Sequence, residues 1–167
     1  TGDDFANDEG ATTAAKLNNY GTSRDEWMIT PSIDLEGKTC LLTFDLALTP
    51  WNGTDVGTFG ADDKFAVVIS TDDGATWTDA NALLVYDGTH EFSLNEHVVL
   101  DLTGYSGVVK FGFYGESTES NEDNDLFVDN VSVIEMPAND GAISDMMVPV
   151  SGLIGNPIQV SAEVIKT

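Results

Sequence analysis

Carboxylates dominate the side chains able to do chemistry. They gather at Asp3-Asp4, Asp8-Glu9, Asp25-Glu26, Asp62-Asp63, Asp72-Asp73 and across 119–125. Of the 29 acidic residues, 19 are Asp, and many lie beside Gly or Asn. Short carboxylates in such turns suit hard, oxygen-preferring cations, chiefly calcium. Like charges drawn together also need a counter-ion, or their pKa values rise. The competing reading is a solvated acidic surface. No stretch has the EF-hand spacing, so an ion site would be assembled from loops distant in sequence.

Other chemistry is thinly supported. His90 and His97 stand alone, outside any zinc-binding spacing. Cys40 heads an apolar run and reads as a small buried hydrophobe. No G-x-S-x-G motif exists, and no Ser/His/Asp order suggests a triad. Paired carboxylates for glycoside hydrolysis stay open through sheer number. Trp51 sits in a glycine-rich loop, 49–62, where an indole either stacks on a sugar ring or caps the core edge. Phe59, Tyr114 and Tyr20 are weaker candidates for the same surface. Ser70-Thr71-Asp72-Asp73-Gly74-Ala75-Thr76-Trp77 fits the Asp-box form S-x-D-x-G-x-x-W. A single copy reads as a stabilised hairpin, with Asp72 capping the turn and Trp77 packing back, because a propeller needs several.

The elements that must position these groups are strands. Cys40, Leu42, Phe44, Leu46 and Leu48 recur with period 2, as do Phe65, Val67 and Ile69, and Val109, Phe111 and Phe113. Shorter candidates are 27–30, 83–86 and 97–102. Turn pairs separate them at Glu36-Gly37, Asn52-Gly53, Asp73-Gly74, Asp87-Gly88 and Ser106-Gly107. Six or more short strands predict an all-β sandwich or jelly roll. In 126–134 the apolar phase slips by one residue at Asp129-Asn130. The strand either carries a β-bulge that re-aims a carboxylate or simply has one polar face.

Met136-Pro137-Ala138-Asn139-Asp140-Gly141 has a linker composition. We divide the chain into a first domain, 1–136, and a segment, 137–167, holding a Ser151-Gly152 turn and a strand with Ile158, Val160, Ala162 and Val164 alternating. Thirty residues cannot bury a core alone, so this segment is either extra strands of the first domain or, as the linker composition favours, the start of a truncated second domain. The chain opens at Thr1 in polar sequence, as a processed or excised segment would. It has 167 residues and a net charge of −23, with 6 Lys and Arg. That balance makes nucleic acid and anionic membranes poor partners. One cysteine excludes an internal disulfide framework, and no apolar run is long enough for a spanning helix.

Several landmarks resemble a known family. Asp25-Glu26-Trp27-Met28-Ile29-Thr30-Pro31-Ser32-Ile33-Asp34-Leu35 is similar to the D-x-W-L-I-T-P-x-I-D-L opening of MAM-like jelly-roll domains. These include the cleaved-adhesin and choice-of-anchor J families of secreted Bacteroidetes proteins. Leu42-Thr43-Phe44-Asp45, the run 63–71, the run 99–107, Phe111-Gly112-Phe113-Tyr114 and the closing 127–133 follow in the family's order. The match covers about 20–135, whereas Gly2–Tyr20 fits the pattern poorly. The trailing segment from Asn139 resembles the opening of an Ig-like domain. The resemblance implies a two-sheet antiparallel jelly roll, extracellular export and a non-catalytic accessory role. It also implies calcium where the N-terminal region meets the last strand, and Asp25, Glu26, Asp63 and Asp129 are the matching positions.

The sequence thus predicts a calcium-stabilised, non-catalytic binding or adhesion module of a secreted or cell-surface multidomain bacterial protein. Its partners would be a glycan, a host or cell-surface protein, or neighbouring domains of the same polypeptide. The alternatives are a glycan-active hydrolase with paired carboxylates and a purely structural spacer.

Overall fold

The computed structural model describes residues 2–136 and two further strands, 141–147 and 161–166. The strands, in chain order, are β1 (Gly2–Asp4), β2 (Thr13–Asn19), β3 (Arg24–Ile29), β4 (Ile33–Asp34), β5 (Cys40–Pro50), β6 (Lys64–Ser70), β7 (Ala82–Asp87), β8 (Glu96–Asp101), β9 (Val108–Ser117), β10 (Asn124–Glu135), β11 (Gly141–Met147) and β12 (Ser161–Lys166). The chain divides into two compact units, Thr1–Glu135 and Met136–Thr167. In the second, β11 and β12 pair antiparallel. The Ser151-Gly152 turn and residues Ile158 and Val160 of the expected late strand lie outside the described residues.

The first unit is a sandwich of two antiparallel sheets, ordered β1-β2-β10-β5-β8 and β3-β9-β6-β7, with β4 added to β9. The apolar phases read from the sequence become the inner faces. Leu42, Phe44, Leu46 and Leu48 of β5 meet Phe65, Val67 and Ile69 of β6 and Val109, Phe111 and Phe113 of β9 in one buried core. Phe44 packs edge-on against Phe113, ring centroids 5.2 Å apart. Each fully buried side chain of this kind contributes about 1.5–3 kcal/mol of transfer free energy.

The phase slip in β10 is a β-bulge. Asp129 pairs with Asp45 and Ser132 with Thr43, so β10 carries one extra residue. Asn130 takes a positive φ of 52° there.

A second, smaller apolar cluster lies on the outer side of the first sheet. Phe127, Ala47 and Ala14 point away from the core and are buried beneath Ala6, with Phe5 packed against them. The turn Phe5–Asn7 therefore lies over that outer face. Sequence patterning missed β2 because Thr13–Asn19 carries a single large apolar side chain, Leu17.

Candidate aromatic cleft on the second sheet

Strand register sets out the outer face of the second sheet as a grid. Asp25, Glu116 and Lys64 form one row across β3, β9 and β6. Trp27, Tyr114 and Ala66 form the next, and Ile29, Gly112 and Val68 the third. The alternation that sends Phe111 and Phe113 into the core sends Gly112, Tyr114 and Glu116 outward.

The loop after β6 adds a third ring. Asp72 accepts hydrogen bonds from the Ser70 hydroxyl at 2.6 Å and from the Thr76 amide at 3.0 Å, and Asp73 and Gly74 turn the chain with positive φ. Trp77 is thereby carried back over the sheet. Its ring centroid lies 5.5 Å from that of Trp27, and Trp27 lies 4.5 Å from Tyr114. Gly112 permits this arrangement. A Cβ there would sit 2.8 Å from the Trp77 ring and 2.9 Å from the Trp27 ring. Glycine in mid-strand marks such a close approach.

The three rings help line an open cleft of about 260 Å³, with Asp25, Asp79, Glu116 and Lys64 among its polar lining. Trp27 donates its indole N–H to Asp25 Oδ1 at 3.2 Å. The Tyr114 hydroxyl donates to Glu116. Burial, with Glu116 beside it, pushes the Tyr114 phenol upward, so it remains a donor at physiological pH. Lys64 pairs with Asp79 at 3.1 Å and lies 5.7 Å from the Tyr114 ring centre. The cleft thus offers ring faces flanked by fixed hydrogen-bonding groups, the arrangement that orients a polar ligand with apolar faces.

Of the aromatic residues singled out in the sequence, Tyr114 lies in this cleft. Trp51 is 62% exposed and stands elsewhere, in the loop after β5, where its amide bonds Asp123 O at 2.8 Å. Phe59 is a correction. It is 4% exposed and packs edge-on against Phe92 in the core, so no ligand can stack on it. Trp27 and Trp77 line the cleft but were not singled out in the sequence as candidate binding residues. The glycine between Phe111 and Phe113 was the available signal.

The four carboxylates matched to calcium occupy separate places. Asp25 lines the aromatic cleft, and Glu26 pairs with Arg24 at 3.1 Å. Asp129 sits at the bulge in the first sheet and accepts from the Thr12 hydroxyl. Among the described residues, no group of three or more His, Cys, Asp or Glu side chains converges at metal-binding spacing. Where the N-terminal strands meet β10, the Lys16 ammonium lies 3.0 Å from Asp125.

Asp63 differs from the other three. It is 2% exposed, and Oδ2 accepts the Gly60 amide at 2.8 Å. Oδ1 is buried without a hydrogen-bond partner. The adjacent Ser117 hydroxyl is directed at the Gly21 and Glu119 carbonyls. Burial pushes the Asp63 pKa up, and Asp62 and Glu122 push it further, against the hydrogen bond from the Gly60 amide. A buried carboxylate with one orphaned oxygen and two acidic neighbours fits a cation ligand.

Comparison with known proteins agrees on architecture. No family model matches the chain, and no curated protein matches it. The K1 cleaved adhesin domain of Lys-gingipain from Porphyromonas gingivalis W83 superposes with a TM-score of 0.50 at 18% identity, covering 80% of each chain. A Caldicellulosiruptor saccharolyticus family 27 carbohydrate-binding module, solved with mannohexaose, gives 0.44 at 13% identity over 78% of this chain and 79% of its own. A family 16 carbohydrate-binding module gives 0.44 at 16% identity over 79% and 83%. The fold is a jelly-roll β-sandwich, and the likeness to the adhesin domain is of fold alone. No described helix is long and apolar enough to cross a membrane.

Proposed function

We propose that the chain is a non-catalytic glycan-binding module of the MAM-like, cleaved-adhesin kind, from an extracellular multidomain bacterial protein. The observation that carries this reading is the Trp27–Tyr114–Trp77 cleft, where ring faces are held against Gly112 and flanked by Asp25, Asp79, Glu116 and Lys64. Pyranose rings present apolar C–H faces to indole and phenol and hydroxyls to carboxylates.

A hydrolase is less well supported. It needs one carboxyl held protonated beside an ionised one. Among the described residues, the carboxyl with a net upward shift is Asp63, which is enclosed in the protein rather than part of the cleft.

Calcium belongs to this reading as a structural ion. Asp63 would supply Oδ1, with Asp62 and Glu122 adding charge nearby. The ion would hold loop 58–63 to the turn after β9 and neutralise the acids gathered there. Residues 137–167 would begin a following Ig-like domain.

The reading is tested by titrating the chain with neutral oligosaccharides by calorimetry. Trp27→Ala removes one ring and should weaken glycan binding about tenfold, while Trp51→Ala should leave affinity unchanged. A stacking contact of about 1.5 kcal/mol gives that factor. Equal binding by wild type and Trp27→Ala would move the site elsewhere. Loss of binding only in Trp51→Ala would place it on the loop after β5.

A further inference from the structure

Three groups converge where the N-terminal turn crosses the first sheet. The Lys16 amine lies 3.3 Å from Asn7 Oδ1 and 3.0 Å from Asp125 Oδ2. Asn7 Nδ2 faces Asp125 Oδ2 at 3.4 Å and also donates to Gly53 O at 2.8 Å and Thr49 Oγ1 at 3.0 Å. Amine, carboxamide and carboxylate thus form a triangle, with Asp3 Oδ2 also 3.1 Å from the amine and the Asn52 amide donating to Asp125 Oδ2 at 3.0 Å. The Asp125 side chain is 1% exposed and that of Lys16 13%. Below them lies the apolar cluster of Phe127, Ala47, Ala14 and Ala6, with the amine 5.4 Å from the Phe127 ring centre.

The backbone is distorted to reach this geometry. Ala6 and Asn7 have φ of 56° and 55°, the left-handed region that non-glycine residues seldom occupy. Three bonds then fix the Asn7 amide with its carbonyl toward the amine and its nitrogen toward the acid.

We propose that Lys16 and Asn7 condense into an intramolecular isopeptide cross-link, with Asp125 carrying the proton. Lys16 passes one ammonium proton to the Asp125 carboxylate. The free amine attacks Asn7 Cγ, forming the Nζ–Cγ bond. The tetrahedral centre collapses with cleavage of Cγ–Nδ2. The leaving nitrogen takes a proton from the attacking amine and the one held by Asp125, and departs as ammonium. Asp125 returns to carboxylate, and no oxidant or co-reactant is needed. Burial lowers the Lys16 pKa, but Asp125 and Asp3 outweigh it and the net shift is upward. The first proton transfer therefore sets the rate, and the bond forms slowly after folding.

The product ties the N-terminal turn covalently to β2, over the face of β10. A module in a surface protein gains a first segment that cannot peel away under load.

Intact-mass spectrometry of the purified, folded 167-residue chain tests this directly. The expected result is a mass lower than the sequence mass by one ammonia, with a branched peptide joining Asn7 to Lys16 after proteolysis. Lys16→Arg keeps the charge and removes the nucleophile, and Asp125→Asn removes the proton carrier, so both should retain full mass. A wild-type chain that keeps its full mass after prolonged incubation overturns the proposal and leaves a salt bridge. Loss of one water instead overturns the assignment to Asn7 and makes Asp125 the acyl partner.

Discussion

Asp63→Asn should stabilise the chain in chelator and destabilise it in calcium, relative to wild type. In the wild type, Oδ1 is enclosed and unpaired beside two further acids. Leaving such a group unsatisfied costs about 1–3 kcal/mol, and more when it is charged. The amide has the same shape and no charge, and it can keep the Gly60 bond at one oxygen. Removing the buried charge should therefore raise stability by about 1–3 kcal/mol without metal. At roughly 2–4 °C per kcal/mol for a chain of this size, the melting point rises by roughly 2–12 °C. Calcium at about 100 times its dissociation constant should add about 2.7 kcal/mol to the wild type. The variant should lose most of that increment, so the two melting curves cross over. The assay is thermal unfolding of both proteins in chelator, calcium and magnesium at one ionic strength. Equal destabilisation of the variant in all three would refute the reasoning, because Oδ1 would then have a partner within the protein.

The same group sets a pH signature. Its folded pKa lies above the unfolded 3.8, so without metal stability should fall as pH rises from 3.8 through the folded value. Asp62 and Asp72 act in the opposite direction. Slight burial raises Asp62, but donors from Asn121, Thr118 and Glu119 hold it at about 2, and Ser70 and Thr76 hold Asp72 at about 2. Their contribution should be intact above 3.8 and lost as pH falls toward 2. An Asp62→Asn/Asp72→Asn chain should show a flatter acid limb by circular dichroism. Gly112→Ala drives a methyl into two indole rings and should cost about 1–3 kcal/mol of stability. It should also abolish glycan binding, with the change in ring packing visible in near-ultraviolet dichroism. A variant that binds normally would detach the rings from the site.

Strand positions were legible wherever one face was strongly apolar. β5, β6 and β9 alternate in the sequence as they do in the sandwich, because one-sided burial imposes a period of two. The bulge was visible as a phase slip, since an extra residue shifts every later side chain to the other face. β2 was illegible because its outward positions are occupied by Ala14 and Lys16, whose burial comes from the Phe5–Asn7 turn rather than from the sandwich core. His90 stood alone in the sequence, yet it stacks on Tyr86 at 3.5 Å and bonds Glu96 at 3.2 Å. Such partners are set by loop closure, which leaves no periodic trace. The cleft was half legible. Trp27 and Trp77 stood inside recognised motifs, but their meeting depends on the β3–β9 register and on the hairpin turn together.

The two outer faces of the sandwich differ in whether their aromatic rings are covered. In the first sheet, β10 points Phe127 outward, where an aromatic ring could meet a ligand, but the N-terminal turn covers it completely. In the second sheet, the equivalent outward aromatics have no such cover, and Trp27 keeps 37% of its surface exposed. Covering the first face requires a strained turn, held by Asn7, Lys16 and Asp125. If that clasp fails, Phe127 and its alanine neighbours become a second apolar surface on a strongly acidic chain, open to non-specific contact. A covalent bond at the clasp would keep binding confined to the Trp27–Tyr114–Trp77 face. Lys16→Ala should accordingly bind more of a hydrophobic dye than wild type while its glycan affinity stays the same. A parallel change in both would mean that the two faces are not independent.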